Sequence, residues 1–127
     1  MGYELKPRQI EISCHIDDRG FLYQTYGNYG FPEVKRVYVV GNFSKNVIRG
    51  FHKHYQEWKG YFVVSGAAKF VIVDEEKNIK EYILSYMKPS VLIVPPRCYN
   101  GWVSLSDNTV VVGLSNRSLE AVSYTHL

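Results

Sequence analysis

Apolar residues along the chain recur at every second position or in short unbroken runs. Nowhere does a 3.6-residue stripe persist over the roughly 11–18 residues that would argue for an amphipathic helix. Ala67–Val73 is apolar except at Lys69, and Ser90–Val94 is almost wholly apolar. Alternation predicts a strand with one buried face, and an unbroken β-branched run predicts a strand buried on both. On this basis strands are expected near Gln9–His15, Phe21–Tyr26, Lys35–Phe43, Val47–Tyr55, Lys59–Ser65, Ala67–Asp74, Lys80–Tyr86, Ser90–Val94, Gly101–Leu105 and Thr109–Ser115. Turn chemistry separates them: Asp17-Asp18-Arg19-Gly20, Gly27–Pro32, Ser65-Gly66, Glu75–Asn78, Lys88-Pro89 and Ser106–Asn108. About ten short strands at this spacing predict an all-β sandwich or barrel. No linker or repeat divides the chain, so residues 1–121 are expected to form one domain. Val122–Leu127 reads as a truncated or non-native tail.

Composition narrows the range of functions. The 127 residues are 46% hydrophobic and 21% charged, enough for one core and too few for two. A net charge of +3 comes from scattered basic residues. That argues against a nucleic-acid partner and suits a small anionic ligand. With no apolar run long enough for a membrane helix and no signal-peptide core, a cytoplasmic protein without a membrane partner is expected. Cys14 and Cys98 form no C-x-x-C pair and imply no disulfide framework. Aromatic residues reach 15%, including 11 Tyr, a level that favours strands and ligand-stacking surfaces.

Candidate chemistry concentrates in Val47–Gly66. On a strand, residues two apart share a face, so His52 and His54 are expected to point the same way. Paired imidazoles inside a barrel suit a metal site or proton transfer, and hydrogen-bonded core histidines are the plain alternative. By the same alternation Arg49 falls on the face opposite His52, unless Gly50 bends the strand.

His52-Lys53-His54 and Gly66 resemble the first metal-binding motif of the cupin superfamily. Lys59 stands where that motif has its Glu ligand, and Asn100 where the second motif has its last His. An ammonium repels a divalent ion, so no metal and no cofactor are expected. Arg49-Gly50-Phe51-His52, Lys59, Ser65-Gly66, Pro95–Ser106 and Asp18-Arg19-Gly20-Phe21 together resemble the nucleotide-sugar branch of the cupins, the dTDP-4-dehydrorhamnose 3,5-epimerase family. The resemblance spans about residues 17 to 116 and implies a cupin-type jelly-roll barrel.

It also implies a homodimer and an isomerase acting on a nucleoside-diphosphate 4-keto-6-deoxysugar. His52 would be the base, Lys59 the cation for the enolate oxygen and His54 an auxiliary proton carrier. Arg49 and Arg19 would hold the diphosphate and Phe21 would stack on the base, with Asn42 and Asn100 completing the sugar- and nucleotide-binding set. The family's acid Tyr is missing, since Ser115-Asn116-Arg117-Ser118 occupies its place. Lys35-Arg36-Val37-Tyr38 and Arg49–His54 are similar to the dTDP-4-keto-6-deoxyhexose 3,4-ketoisomerases, which supply the competing expectation. A sugar-nucleotide-binding cupin without activity is the third.

Overall fold

Period-two patterning becomes β-strand wherever the chain can bury one face. The computed structural model describes residues 5–25 and 31–118, in which eleven strands and no α-helix occur. They are β1 (Arg8–Glu11), β2 (Cys14–Asp17), β3 (Gly20–Tyr23), β4 (Arg36–Asn42), β5 (Ile48–Lys53), β6 (Lys59–Ser65), β7 (Ala67–Val73), β8 (Ile79–Ser85), β9 (Ser90–Val94), β10 (Tyr99–Ser104) and β11 (Thr109–Ser115). One antiparallel sheet has the order β1-β9-β6-β11-β4, a second β5-β10-β7-β8, and β2 pairs with β3 alone. The strand spacing predicts an all-β sandwich or barrel, and the two larger sheets form the jelly-roll that the resemblance implies. No helix among the described residues is long and apolar enough to cross a membrane.

Burial on two faces explains the apolar run of β9. Leu92 and Val94 join Tyr61, Phe70, Ile72, Leu84, Trp102 and Val111 in one core cluster. Val91 and Ile93 point the other way, into a second cluster with Ile12, Phe31, Trp58, Phe62 and Leu114. A strand buried on both faces has no polar positions to alternate, which is why its sequence reads as unbroken.

The segment expected as one strand over Gln9–His15 is two. After Glu11 the Ile12 amide donates to the Pro89 carbonyl at 3.0 Å and its side chain sinks into the second cluster. The chain leaves the large sheet there, and β2 pairs instead with β3 as a separate hairpin. Tyr26, most of the Gly27–Pro32 turn and the tail over Val122–Leu127 lie outside the described residues.

Candidate active site

Four strands, two from each large sheet, enclose a cavity of about 400 Å³. Arg36, Tyr38 and Val40 of β4 and Lys59 and Tyr61 of β6 form one wall. Arg49, Gly50 and His52 of β5 with Asn100, Gly101 and Trp102 of β10 form the other. The volume suits a sugar-sized ligand.

Alternation alone would set Arg49 and His52 on opposite faces, yet both line this cavity. The strand register supplies the reason. Asn100 pairs with His52 and Trp102 with Arg49, so three steps along β5 match two along β10. Gly50 and Phe51 therefore bulge opposite Gly101, and the extra residue turns Arg49 back toward the cavity. Gly50 has φ of +141°, and a Cβ there would sit 2.7 Å from the Gly101 Cα. Glycine is the residue that accepts both conditions.

On the β4–β6 wall, Gly113 of β11 lies in register between Tyr38 and Tyr61. A Cβ on Gly113 would overlap the Tyr38 ring, so its absence lets the two phenols meet. The Tyr61 hydroxyl donates to Asn100 Oδ1 at 3.1 Å. Burial pushes both phenols above the ordinary tyrosine range, Tyr61 well above it. Both keep their protons at neutral pH.

Lys59 is buried at 7% exposure. Burial lowers its pKa below the usual lysine value, Glu57 opposes that and Arg36 adds to it. Glu57 lies on the short connection that carries the chain from β5 in one sheet to β6 in the other. That connection is fastened to the end of β11: the Trp58 amide donates to Asn116 Oδ1 at 2.8 Å, and Arg117 Nη1 to Gln56 Oε1 at 3.0 Å.

Residues 6–126 match the family described as FdtA: WxcM-like, C-terminal. The chain belongs to that family. No curated protein matches it. Among solved structures, this WxcM-like chain is similar to the dTDP-4-dehydrorhamnose 3,5-epimerase of Bacillus anthracis str. Ames, determined with TDP and PPi bound. The two are 27% identical with a TM-score of 0.80, over 87% of this chain and 72% of that one. WlaRB, a TDP-quinovose 3,4-ketoisomerase from Campylobacter jejuni, is 20% identical with a TM-score of 0.75, over 87% of this chain and 85% of its own. ChmJ, a 3′-monoepimerase from Streptomyces bikiniensis solved with dTDP-quinovose, is 19% identical with a TM-score of 0.80, over 91% and 67%. The fold is thus that of sugar-nucleotide epimerases and ketoisomerases.

In this WxcM-like chain His52, Lys59, Arg49 and Asn100 all line the cavity. His54 does not line it. Its ring lies beside that of His52, centroids 6.4 Å apart, but it is buried behind the wall with Nδ1 3.4 Å from Glu57 Oε1. Asn42 is also away from the cavity lining. Its Oδ1 accepts from Arg49 Nε at 2.6 Å and its Nδ2 donates to Val47 O and Ser104 Oγ, so it aims the arginine.

Arg19 and Phe21 sit on the β2–β3 hairpin, outside the cavity of their own chain. Arg19 is bound to Asp17 at 2.6 Å and Phe21 is 71% exposed. Trp102 lines the cavity while Trp58 fills the second core cluster. Cys98 is buried, and burial raises its thiol to about 11, so it stays protonated and unreactive. The four positions that hold the metal in metal-binding cupins present two imidazoles, an ammonium and an amide, with His54 turned to Glu57. That set does not fit a divalent ion.

Sequence reasoning missed Tyr61, Glu57 and the wall position of Tyr38 and Arg36. The available signal for the phenols was Gly113, a glycine in the interior of a Val-rich strand.

Proposed function

We propose that this chain is an isomerase that enolises a nucleoside-diphosphate 4-keto-6-deoxyhexose without a metal. The observation that carries this is a single cavity with an imidazole, His52, on one wall and a buried ammonium, Lys59, on the facing one. His52 removes the proton from the carbon beside the ketone, and the bonding pair moves onto the carbonyl oxygen. Lys59 stabilises that oxyanion, worth roughly 3–4 kcal/mol by analogy with an oxyanion-hole donor. Arg49, aimed by Asn42, takes the diphosphate.

Where the proton returns decides the product. Tyr38 is protonated on the wall opposite His52, which supports return from the opposite face and therefore epimerisation at C3, C5 or both. A second reading is 3,4-ketoisomerisation, in which a proton leaves C3 and another arrives at C4 from the same side. The adjacent rings of His52 and His54 favour it. Incubation with dTDP-4-keto-6-deoxyglucose in heavy water separates these readings. Deuterium at C3 and C5 with the ketone retained at C4 is the expected result. Exchange with the ketone moved to C3 selects ketoisomerase, and tight binding with no exchange leaves a binding module.

The active form is proposed to be a homodimer. Phe21, Ile16 and Leu22 on the hairpin and Val37 and Val39 on the edge strand β4 are more than half exposed, a load a lone barrel rarely carries. A partner's hairpin would bring Arg19 and Phe21 to the nucleotide. Sedimentation velocity should give twice the chain mass, and Phe21→Ala should weaken TDP binding; a monomer that binds TDP with undiminished affinity would refute the pairing.

A further inference from the structure

The most buried charge near the cavity is one the mechanism above does not use. Glu57 is 4% exposed, and its carboxylate is approached by side chains from three elements. Arg36 Nη2 of β4 lies 2.9 Å from Oε2, the Ser115 hydroxyl of β11 donates to the same oxygen, and His54 Nδ1 lies 3.4 Å from Oε1. Lys59 follows two residues later at the start of β6, itself buried, with its backbone paired to that of Ser115.

The cavity walls carry three basic side chains among the described residues, Arg36, Arg49 and Lys59. Among the described residues no carboxylate lines the cavity, and Glu57 is paired with Arg36 of its wall. A buried ammonium next to a guanidinium is unstable without an anion close by. Glu57, held by Arg36 and Ser115, is two residues along the chain from Lys59.

We propose that Glu57 is a positioning residue: its carboxylate is the shared counter-ion that keeps Lys59 charged inside the cavity and fixes the His54 ring behind His52. This rests on the reading of Lys59 as the cation that receives the enolate. The groups facing the pair are Arg36 and Tyr38 from β4, Tyr61 from β6, Ser115 from β11 and His54 from the connection. Arg49 and His52 face Lys59 across the cavity. Among them Arg36 opposes a charge on Lys59 and Glu57 favours it. The neutral phenols of Tyr38 and Tyr61 add no charge.

Opposite effects on one lysine provide the test. Protein carrying ¹³C-labelled lysine is titrated by NMR without any ligand, and the Lys59 signal is assigned by its disappearance in Lys59→Met. Glu57→Gln should move the Lys59 midpoint down by on the order of one pH unit, and Glu57→Asp should restore much of it. Arg36→Gln should move it up. An unmoved midpoint in folded Glu57→Gln, or a downward movement in Arg36→Gln, overturns the proposal. If Glu57→Gln does not fold, Arg36→Gln and Glu57→Asp carry the same decision.

Activity adds a second readout. The high-pH limb of the deuterium-exchange profile should fall to lower pH in Glu57→Gln, and Glu57→Asp should recover it. The two readings fail separately. An inactive wild type with the predicted Lys59 movements sinks the enolisation alone, and an active wild type with an unmoved Lys59 sinks the counter-ion alone.

Discussion

Replacing His52 with alanine is expected to abolish deuterium incorporation from heavy water while leaving TDP affinity and fold intact. A positioned general base contributes about 10²–10⁴-fold, so the loss should be at least of that order. Three features make the variant a clean one. His52 is exposed into the cavity, so its removal leaves no void in either core cluster. The hydrogen bond from Asn100 Nδ2 reaches the His52 backbone carbonyl and survives the change. Arg49, the proposed phosphate ligand, is aimed by Asn42 and is independent of the imidazole. A fall in kcat and kcat/KM by the same factor would mark an interaction made only in the transition state. Exchange at the wild-type rate in His52→Ala would remove the residue from the mechanism.

Much of the fold is legible because strands report burial directly. The β-rich runs expected over Ala67–Asp74 and Ser90–Val94 each correspond to a single strand at or near the expected bounds. The failure near the N-terminus has a specific cause. Residues 9 to 15 contain no Gly or Pro to mark a break between the strand that joins β9 and the one that pairs with β3. That division is made by Ile12, whose partners Pro89 and the second core cluster lie far along the chain.

The site divides in the same way. His52, Lys59 and Arg49 are named through the resemblance of Arg49–His52 and Lys59 to a known family. Alternation alone sets Arg49 on the face opposite His52, and the bulge at Gly50 turns it back. Tyr38 and Tyr61 occupy inward positions of ordinary strands, where a phenol and a core ring give the same pattern. Only the register of Gly113 against both reveals that they meet. Glu57, between Gln56 and Trp58 in a short connection, reads as a solvated loop residue. It is buried because Arg36, twenty-one positions upstream, and Ser115, fifty-eight downstream, close over it. His54 is the converse: expected to point the same way as His52, it lies beside that ring but faces the Glu57 carboxylate and not the cavity.

Lys59→Met should lower kcat by roughly 10²–10³-fold and leave the melting temperature unchanged or higher. The two halves of this prediction come from the same burial. An ammonium in a water-poor wall is worth most to a developing oxyanion, and it is also the form that burial disfavours. The Lys59 pKa is lower in the fold than in the unfolded chain. Between those two values the unfolded chain binds the extra proton, so stability rises with pH across that window. Below it, wild-type protein bears the full penalty of burying the charge. Methionine has similar length and no charge, so the variant should lose that pH-dependent slope. At neutral pH it should be neutral to more stable, by on the order of 1 kcal/mol. Glu57 does not become an orphan, because Arg36 and Ser115 still hold it. Thermal melts at two pH values beside exchange rates measure both halves. A lower melting temperature with a matching loss of rate would make Lys59 a structural residue, whereas lost activity in a protein of equal or greater stability identifies a charge kept for its chemistry.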